Sequence, residues 1–95
     1  MAKKPVQMAQ SKVVVDNDVS AYHTVIDVYA HDRLGLLYDI TRTLNENGLY
    51  VEVSKISTKV EQVTDAFYVK DIFGQKITSR DKLNNIKQAL EKIIS

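Results

Sequence analysis

Cysteine is absent from this sequence of 95 residues. Its absence excludes disulfide bonds, cysteine-based zinc sites and thiol catalysis, and it fits the reducing cytoplasm, which is the location we expect. Long apolar stretches are missing too, since no run approaches the roughly 20 residues of a membrane-spanning helix. Lys3 and Lys4 are not followed by the apolar segment of a signal peptide. We therefore expect neither membrane association nor secretion.

The sequence also lacks an excess of charge of one sign. Its 13 Lys and Arg residues and 12 Asp and Glu residues give a formal net charge of +1. The basic residues are scattered along the chain and do not form a stripe. Nothing in this balance favours a nucleic-acid partner or an anionic membrane.

Sequence motifs of catalysis and metal binding are missing as well. There is no Gly-rich phosphate loop and no nucleophile at a characteristic spacing from a base. His23 and His31 have no neighbour at metal-ligand spacing. Arg33 could bind a carboxylate, although a solvated surface arginine is the more common case. We expect this domain to catalyse no reaction and to hold no cofactor and no metal.

Alternating and β-branched apolar residues predict four strands. The first is a short run at residues 12–15, and the second covers residues 24–30 with Ile26 and Val28 facing the core. The third and fourth, over residues 50–59 and 63–70, are separated by a short link and are predicted to form a hairpin.

One irregularity is predicted in the third strand. Val51 and Val53 are two residues apart, but Ile56 lies three residues further on. A regular strand cannot place all three on one face, so we predict a β-bulge near Ser54.

Helical spacing predicts two amphipathic helices. The apolar stripe of the first is Leu36, Leu37, Ile40 and Leu44, and that of the second is Leu83, Ile86, Leu90, Ile93 and Ile94. The first helix is predicted to end at Gly48, in the left-handed conformation, and to begin with Asp32 as its N-cap. Thr78 or Ser79 is predicted to cap the second helix.

The predicted order is strand, strand, helix, strand, strand, helix. This order indicates an α+β, ferredoxin-like fold with a four-stranded antiparallel sheet and two helices on one face. The usual last strand is replaced by the N-terminal strand, which a short loop places antiparallel beside residues 24–30. We expect one folded domain at residues 12–95, after a flexible N-terminal segment at residues 1–11.

Several sequence segments resemble those of ACT regulatory domains. Residues 31–37 read H-D-R-L-G-L-L, similar to the D-R-P-G-L-L signature where an ACT strand passes into a helix. Asn-Gly-Leu at 47–49 and Asp-Ala-Phe-Tyr-Val at 65–69 follow the family pattern, as does Val-Asp-Asn-Asp-Val-Ser at 15–20. The combination most resembles the C-terminal ACT domains of PII-protein uridylyltransferase/uridylyl-removing enzymes. The sequence departs from the signature at Leu34, where the family usually has a proline that restricts the loop.

This resemblance implies a regulatory domain that senses an amino acid, with glutamine as the effector that reports nitrogen status. The amino acid would bind between the helix-entry loop of one ACT unit and the helix-exit segment of another, in a homodimer or beside a second ACT domain. Its implied ligand-binding residues are Asp32, Leu34, Gly35 and Leu36 on one side and Asn47 and Tyr50 on the other. A parent enzyme of this kind is a nucleotidyltransferase with a hydrolase activity, needs a divalent metal and acts on the PII protein.

The residues themselves also favour a site at the start of the first helix. A helix N-terminus exposes unpaired amides and partial positive charge, which suit a carboxylate. A glycine such as Gly35 allows close approach, although it can equally serve strand–helix packing. Asp32 could bind an amino group if it does not act as the cap, and capping is the more common role.

Besides a stand-alone ACT regulator without a parent enzyme, two other functions fit the sequence. One is a dimerisation or protein-interaction module without a ligand, for which Val25, Tyr29 and Tyr68 form a candidate partner surface on the sheet face away from the helices. The other is an RNA-binding sheet, which needs exposed aromatic residues among basic ones. The acidic residues at positions 27, 52 and 71 count against RNA.

Overall fold

The computed structural model describes residues 11–59 and 62–94. Its elements are β1 (Lys12–Asp16), β2 (Thr24–His31), α1 (Leu36–Glu46), β3 (Tyr50–Lys59), β4 (Gln62–Lys70) and α2 (Arg80–Ile94). This is the predicted order. Except for Ser11, the predicted flexible segment lies outside the described residues, as do residues 60 and 61 of the predicted link. Within the described ranges, no helix is long and apolar enough to cross a membrane.

The four strands form one antiparallel sheet in the order β1-β2-β4-β3. The N-terminal strand pairs with β2, with Val13 opposite Val28. The predicted α+β ferredoxin-like fold, with the N-terminal strand in the place of the usual last strand, is therefore confirmed. The bulge occurs between Val51 and Val53, slightly earlier than the predicted position near Ser54. It brings Val51 and Ile56 to the helix-facing side, while Val53 pairs with Tyr68 on the other side.

Alternation along the two central strands builds the core beneath both helices. The fully buried side chains include Ile26, Val28, Phe67 and Val69 from the sheet, Ile40 and Leu44 from α1, and Ile86 and Leu90 from α2. The prediction that Leu37 belongs to the apolar stripe is wrong, because its side chain is 43% exposed. Successive helical residues are rotated by about 100°, so the buried row Leu36–Ile40–Leu44 turns Leu37 towards the edge.

The ends of the helices follow the sequence in two of three predicted cases. At the end of α1, Gly48 has φ 75° and the Leu49 amide donates to the Leu44 carbonyl at 3.0 Å, which is a Schellman motif. At the start of α2, the Lys82 amide donates to Ser79 Oγ at 3.2 Å, so Ser79 is the cap. The predicted cap at Asp32 is wrong, because α1 begins later, with Gly35 at the N-cap position and no side-chain cap.

Candidate functional site at the start of α1

A tight turn connects β2 to α1. The Leu36 amide donates to the Arg33 carbonyl at 3.2 Å, and Gly35 has φ 79° and ψ 2°. These angles are those of the third residue of a type II β-turn, a position that requires positive φ. A Cβ atom at Gly35 would meet no atom within 4 Å, so the glycine serves the backbone angle and not close packing. The turn therefore explains why the helix starts without a side-chain cap.

The first turn of α1 leaves backbone donors unpaired. The Asp39 amide donates to the Gly35 carbonyl at 2.9 Å, but the amides of Leu37 and Tyr38 donate to no acceptor among the described residues. These two N–H groups add to the partial positive charge of the helix N-terminus. The arrangement is suited to binding an anionic group such as a carboxylate.

A cavity of about 500 Å³ opens beside this helix start. It lies between the β2–α1 turn, the first turn of α1, and the helix-facing side of the sheet where β3 ends and β4 begins. Its lining residues are Asp32, Arg33, Leu34, Gly35, Leu36, Leu37, Tyr38, Ile56, Val63 and Asp65. The volume falls within the range of small-molecule pockets in proteins.

Asp65 brings a buried acid to this cavity. It pairs with Val28 and Ile56 across the sheet and is only 1% exposed. Its Oδ1 atom has no hydrogen-bond partner within the part of the chain that the structure describes. Burial raises the pKa of the Asp65 carboxyl, and the negative charge of Asp32 raises this pKa further.

Arg33 lines the same cavity, but its guanidinium is engaged elsewhere. Nη2 lies 2.8 Å from Asp39 Oδ2 and donates to the Ile93 carbonyl at 3.2 Å, while Nη1 donates to the Leu34 carbonyl at 3.2 Å. The side chain thus ties the turn to α1 and to the end of α2. Arg33 is therefore held by specific contacts and is not a freely solvated surface arginine. Because its charge is used in these contacts, it does not neutralise the carboxyl groups of Asp32 and Asp65, which line the cavity.

The structure brings together one half of the predicted ligand-binding residues. Asp32, Leu34, Gly35 and Leu36 all line the cavity. The other half, Asn47 and Tyr50, lies beyond the far end of α1, which at 11 residues is about 16 Å long. Asn47 Nδ2 donates to the Thr43 carbonyl at 2.7 Å, and Tyr50 is exposed. One chain alone therefore does not complete the predicted set.

Sequence reasoning missed the acid at the centre of this site. The alternation that places Phe67 and Val69 in the core also places Val63 and Asp65 there. A carboxylate at a core position of a strand is rare unless it is paired. That conflict between residue type and position was visible in the sequence and could have identified Asp65.

The predicted partner surface lies on the opposite face of the sheet. Val25 is buried, with only 3% of its surface exposed, so it adds little to that surface. Tyr29 and Tyr68 are partly exposed. Lys12 Nζ lies 4.8 Å from the centre of the Tyr29 ring, and Lys55 Nζ lies 5.2 Å from the centre of the Tyr68 ring. This face is therefore mixed in character, with apolar rings beneath positive charges.

A separate ionic cluster lies at one end of this face. His23 Nε2 lies 2.5 Å from Glu52 Oε1, and Lys70 Nζ lies 3.2 Å from the same oxygen. The hydrogen bonds from His23 and Lys70 lower the pKa of Glu52. Within residues 11–59 and 62–94, no group of three or more His, Cys, Asp or Glu side chains is arranged to hold a metal ion.

Curated relatives resemble this chain over most of its length. The bifunctional uridylyltransferase/uridylyl-removing enzyme of Rhodospirillum rubrum is 46% identical over 84 residues, which are 88% of this chain and 9% of that enzyme. The enzyme of the same name from Azospirillum brasilense is 49% identical over 79 residues, which are 83% of this chain and 8% of that enzyme. The chain thus spans less than a tenth of the length of these relatives.

One solved structure resembles this fold, and one protein family matches nearly the whole chain. The crystal structure of an unknown protein from Galdieria sulphuraria has a TM-score of 0.59 and 21% sequence identity, over 74% of this chain and 37% of that chain. This likeness supports the fold alone. The family described as "ACR9-like, ACT-like domain" matches residues 12–95, nearly the whole sequence. This chain belongs to the ACT-like domain family.

Proposed function

We propose that this domain senses an amino acid, with glutamine as the effector, for a larger cytoplasmic enzyme of the PII-protein uridylyltransferase/uridylyl-removing class. The relatives that are bifunctional uridylyltransferase/uridylyl-removing enzymes, at identities of 46% and 49%, support this assignment of the larger enzyme. The catalytic reactions, the divalent metal and the PII partner belong to the rest of that enzyme. This domain contributes regulation.

The observation that carries the proposal is the cavity at the start of α1. The unpaired amides of Leu37 and Tyr38 provide donors for the carboxylate of an amino acid. Asp32 lines the same cavity, and its carboxyl group does not cap the helix and has no hydrogen-bond partner among the described residues, so it is available to an amino group. Both charged groups of an amino acid therefore have complementary partners in one place.

A second ACT unit would complete this site. The rim of the cavity is apolar and open, with Leu34 fully exposed, Tyr38 largely exposed, and Leu37 and Ile56 nearly half exposed. A neighbouring unit that covered this rim would contribute the residues from its own helix exit, Asn47 and Tyr50. A ligand bound at the interface between two ACT units favours the arrangement of the units that binds it over other arrangements. Effector binding is thereby coupled to catalysis in the larger enzyme.

Calorimetry tests the proposal directly. The 95-residue chain is titrated with glutamine, glycine, serine and the branched-chain amino acids, and we expect heat of binding with glutamine. Ile56→Trp, which fills the cavity, should abolish this heat. Val53→Trp is the matched control, because Val53 lies on the same strand and is similarly exposed, at 45% against 48%, but points to the opposite face. Binding by Ile56→Trp at the wild-type level would show that the ligand lies elsewhere.

The exposed apolar residues also support a second candidate, an interaction module without a ligand. Besides Leu34 and Tyr38 at the rim, Tyr22 and Phe73 are largely exposed in loops. Exposed apolar residues of this size are common at protein interfaces. Sedimentation that shows a dimer, together with no heat from any amino acid, would favour this candidate over the sensor.

A further inference from the structure

We infer that the carboxyl group of Asp65 receives the ammonium group of the effector and so selects amino acids over carboxylic acids that lack an amino group. The inference rests on the proposed function and assigns a specificity-determining residue to the same site. Asp65 contributes this selectivity from β4, and its carboxyl group adds to the one that Asp32 offers from the β2–α1 turn.

Asp65 is buried at a core position of the sheet. It occupies the helix-facing row of β4 between Val63 and Phe67, where an apolar side chain would pack at no electrostatic cost. Its Oδ1 atom is buried and unpaired within the described residues, although nearly all buried polar atoms in proteins have a partner. An ammonium group in the adjacent cavity would supply the missing donors.

The charges around the cavity determine which ligand group fits near Asp65. Asp32 adds a second negative charge, and the one cation among the lining residues, Arg33, is bound to Asp39 and to the Ile93 carbonyl. The region near Asp65 therefore attracts a cation and repels a carboxylate. The carboxylate of the ligand is directed instead to the amides of Leu37 and Tyr38.

The two ligand subsites explain selectivity as well as affinity. A ligand without an ammonium group leaves Asp65 Oδ1 without a partner, and an unsatisfied buried carboxylate oxygen is unfavourable. A metal ion is a poorer occupant than an ammonium group, because no cluster of three or more candidate ligands occurs within the described ranges. The site thus distinguishes an amino acid from its deamino analogue.

Ligand binding should also be linked to protonation. The raised pKa of Asp65 reflects burial first and the charge of Asp32 second. An ammonium group in contact with the carboxylate favours its ionised form, so binding releases a proton when Asp65 is protonated in the free protein. Affinity should then rise with pH up to the raised pKa and become constant above it. The other titratable groups that line the cavity are Asp32, Arg33 and Tyr38.

The test compares two variants and two ligands by calorimetry on the full 95-residue chain. The ligands are glutamine and glutaramic acid, which is glutamine without its α-amino group. We expect Asp65→Asn to weaken glutamine binding by about tenfold to a hundredfold, the range for a charge-assisted hydrogen bond. Asp65→Asn should also lose the preference for glutamine over glutaramic acid and the pH dependence of affinity.

Asp27→Asn is the matched control. Asp27 lies on the neighbouring strand β2 and its pKa is also raised, but it points to the opposite face of the sheet, so its substitution should leave binding unchanged. Wild-type affinity for glutamine in Asp65→Asn would overturn this inference while the proposed sensing function stands. Binding of Mg²⁺ or Ca²⁺ that requires Asp65 would overturn it in favour of a metal site. If the wild-type chain binds no amino acid, the sensing function itself fails, and the inference fails with it.

Discussion

At the residue scale, Asp65 combines a cost in stability with a role in the site. A buried polar group without a partner destabilises a protein by about 1–3 kcal/mol. Asp65 is almost fully buried and lies near the charge of Asp32. The sheet tolerates this position because the neighbours of Asp65 on β4, Val63 and Phe67, anchor the strand in the core. The same conflict between stability and position is common at functional sites.

Removing the charge of Asp65 should therefore stabilise the free protein. We predict that Asp65→Asn raises the free energy of unfolding at pH 7 by about 1 kcal/mol, towards the low end of the cost of an unsatisfied buried group because the amide remains polar. Chemical denaturation of the wild-type and variant chains measures the difference. A loss of stability in Asp65→Asn would mean that the carboxylate is paired in solution and would contradict the buried, unpaired state.

The pH dependence of stability follows from the same group. Because the folded pKa of Asp65 is raised above 3.8, the folded state binds more protons than the unfolded state in the interval between the two values. Stability should therefore fall as pH rises through this interval, and remain constant with respect to this group above the folded pKa. We predict a smaller fall for Asp65→Asn, measured as thermal unfolding against pH. Asp27→Asn removes another carboxyl group whose pKa is raised, and it serves as the reference for the effect of Asp65→Asn.

At the element scale, the β2–α1 turn explains a departure from the family signature. Gly35 has the angles of the third residue of a type II turn, so Leu34 occupies the second position, where proline is favoured. Leu34 is fully exposed, and its amide donates to no acceptor in the described ranges. A proline there would lose neither packing nor a hydrogen bond. The leucine thus leaves the unfolded chain more freedom than the family's usual proline does.

We predict that Leu34→Pro raises the free energy of unfolding by about 0.4–1 kcal/mol, because proline restricts the unfolded state. The matched control is Leu34→Ala, which removes the same side chain without fixing the backbone and should leave stability nearly unchanged. Denaturant titration of both variants provides the measurement. Destabilisation by proline alone would show that residue 34 does not occupy the second position of a type II turn.

A second sequence motif of the family proves to be structural in this chain. Asp16 Oδ1 accepts from the amides of Asp18 and Val19 at 2.7 and 3.2 Å. Asn17 Nδ2 donates to the Ile77 carbonyl at 2.8 Å and so ties the β1–β2 loop to the segment before α2. These contacts hold together the end of the sheet opposite the cavity. Residues 15–20 therefore stabilise the fold, and none of them lines the cavity at the start of α1.

The elements were predictable because apolar periodicity and turn residues carry local information. Gly48 and Ser79 terminate and initiate helices as their residue types predict. The start of α1 was not predicted correctly, because the preference for an acidic cap pointed to Asp32 whereas a glycine turn starts the helix. The location of Asp65 in the cavity depends on contacts between β3, β4 and α1, and no local pattern specifies those contacts.

At the scale of the whole molecule, the cavity and the residues at the helix exit belong to opposite ends of α1. Tyr50 is exposed at the first residue of β3, beyond the end of the helix that is distant from Asp65. A symmetric dimer could join the cavity of one chain to Tyr50 of the other and would form two equivalent sites. Each site would then depend on both chains, which makes the arrangement testable with mixed variants.

We predict that Asp65→Asn and Tyr50→Ala each impair glutamine binding alone, and that a mixture of the two chains recovers part of it. A mixed dimer contains one site with both substitutions and one site with neither. Random exchange of equal amounts should therefore restore about one site in four. Calorimetry after mixing and re-equilibration measures the recovered stoichiometry.

The control for this experiment is a mixture of Asp65→Asn with Ile56→Trp. Both substitutions alter the cavity, so every chain in that mixture carries a defective half-site and no recovery is possible. Recovery in the first mixture and none in the second would place the effector at a seam between two chains. Wild-type binding by Tyr50→Ala, or equal behaviour of the two mixtures, would instead confine the site to a single chain, and ligand binding would then lack a direct means of moving one unit relative to the other.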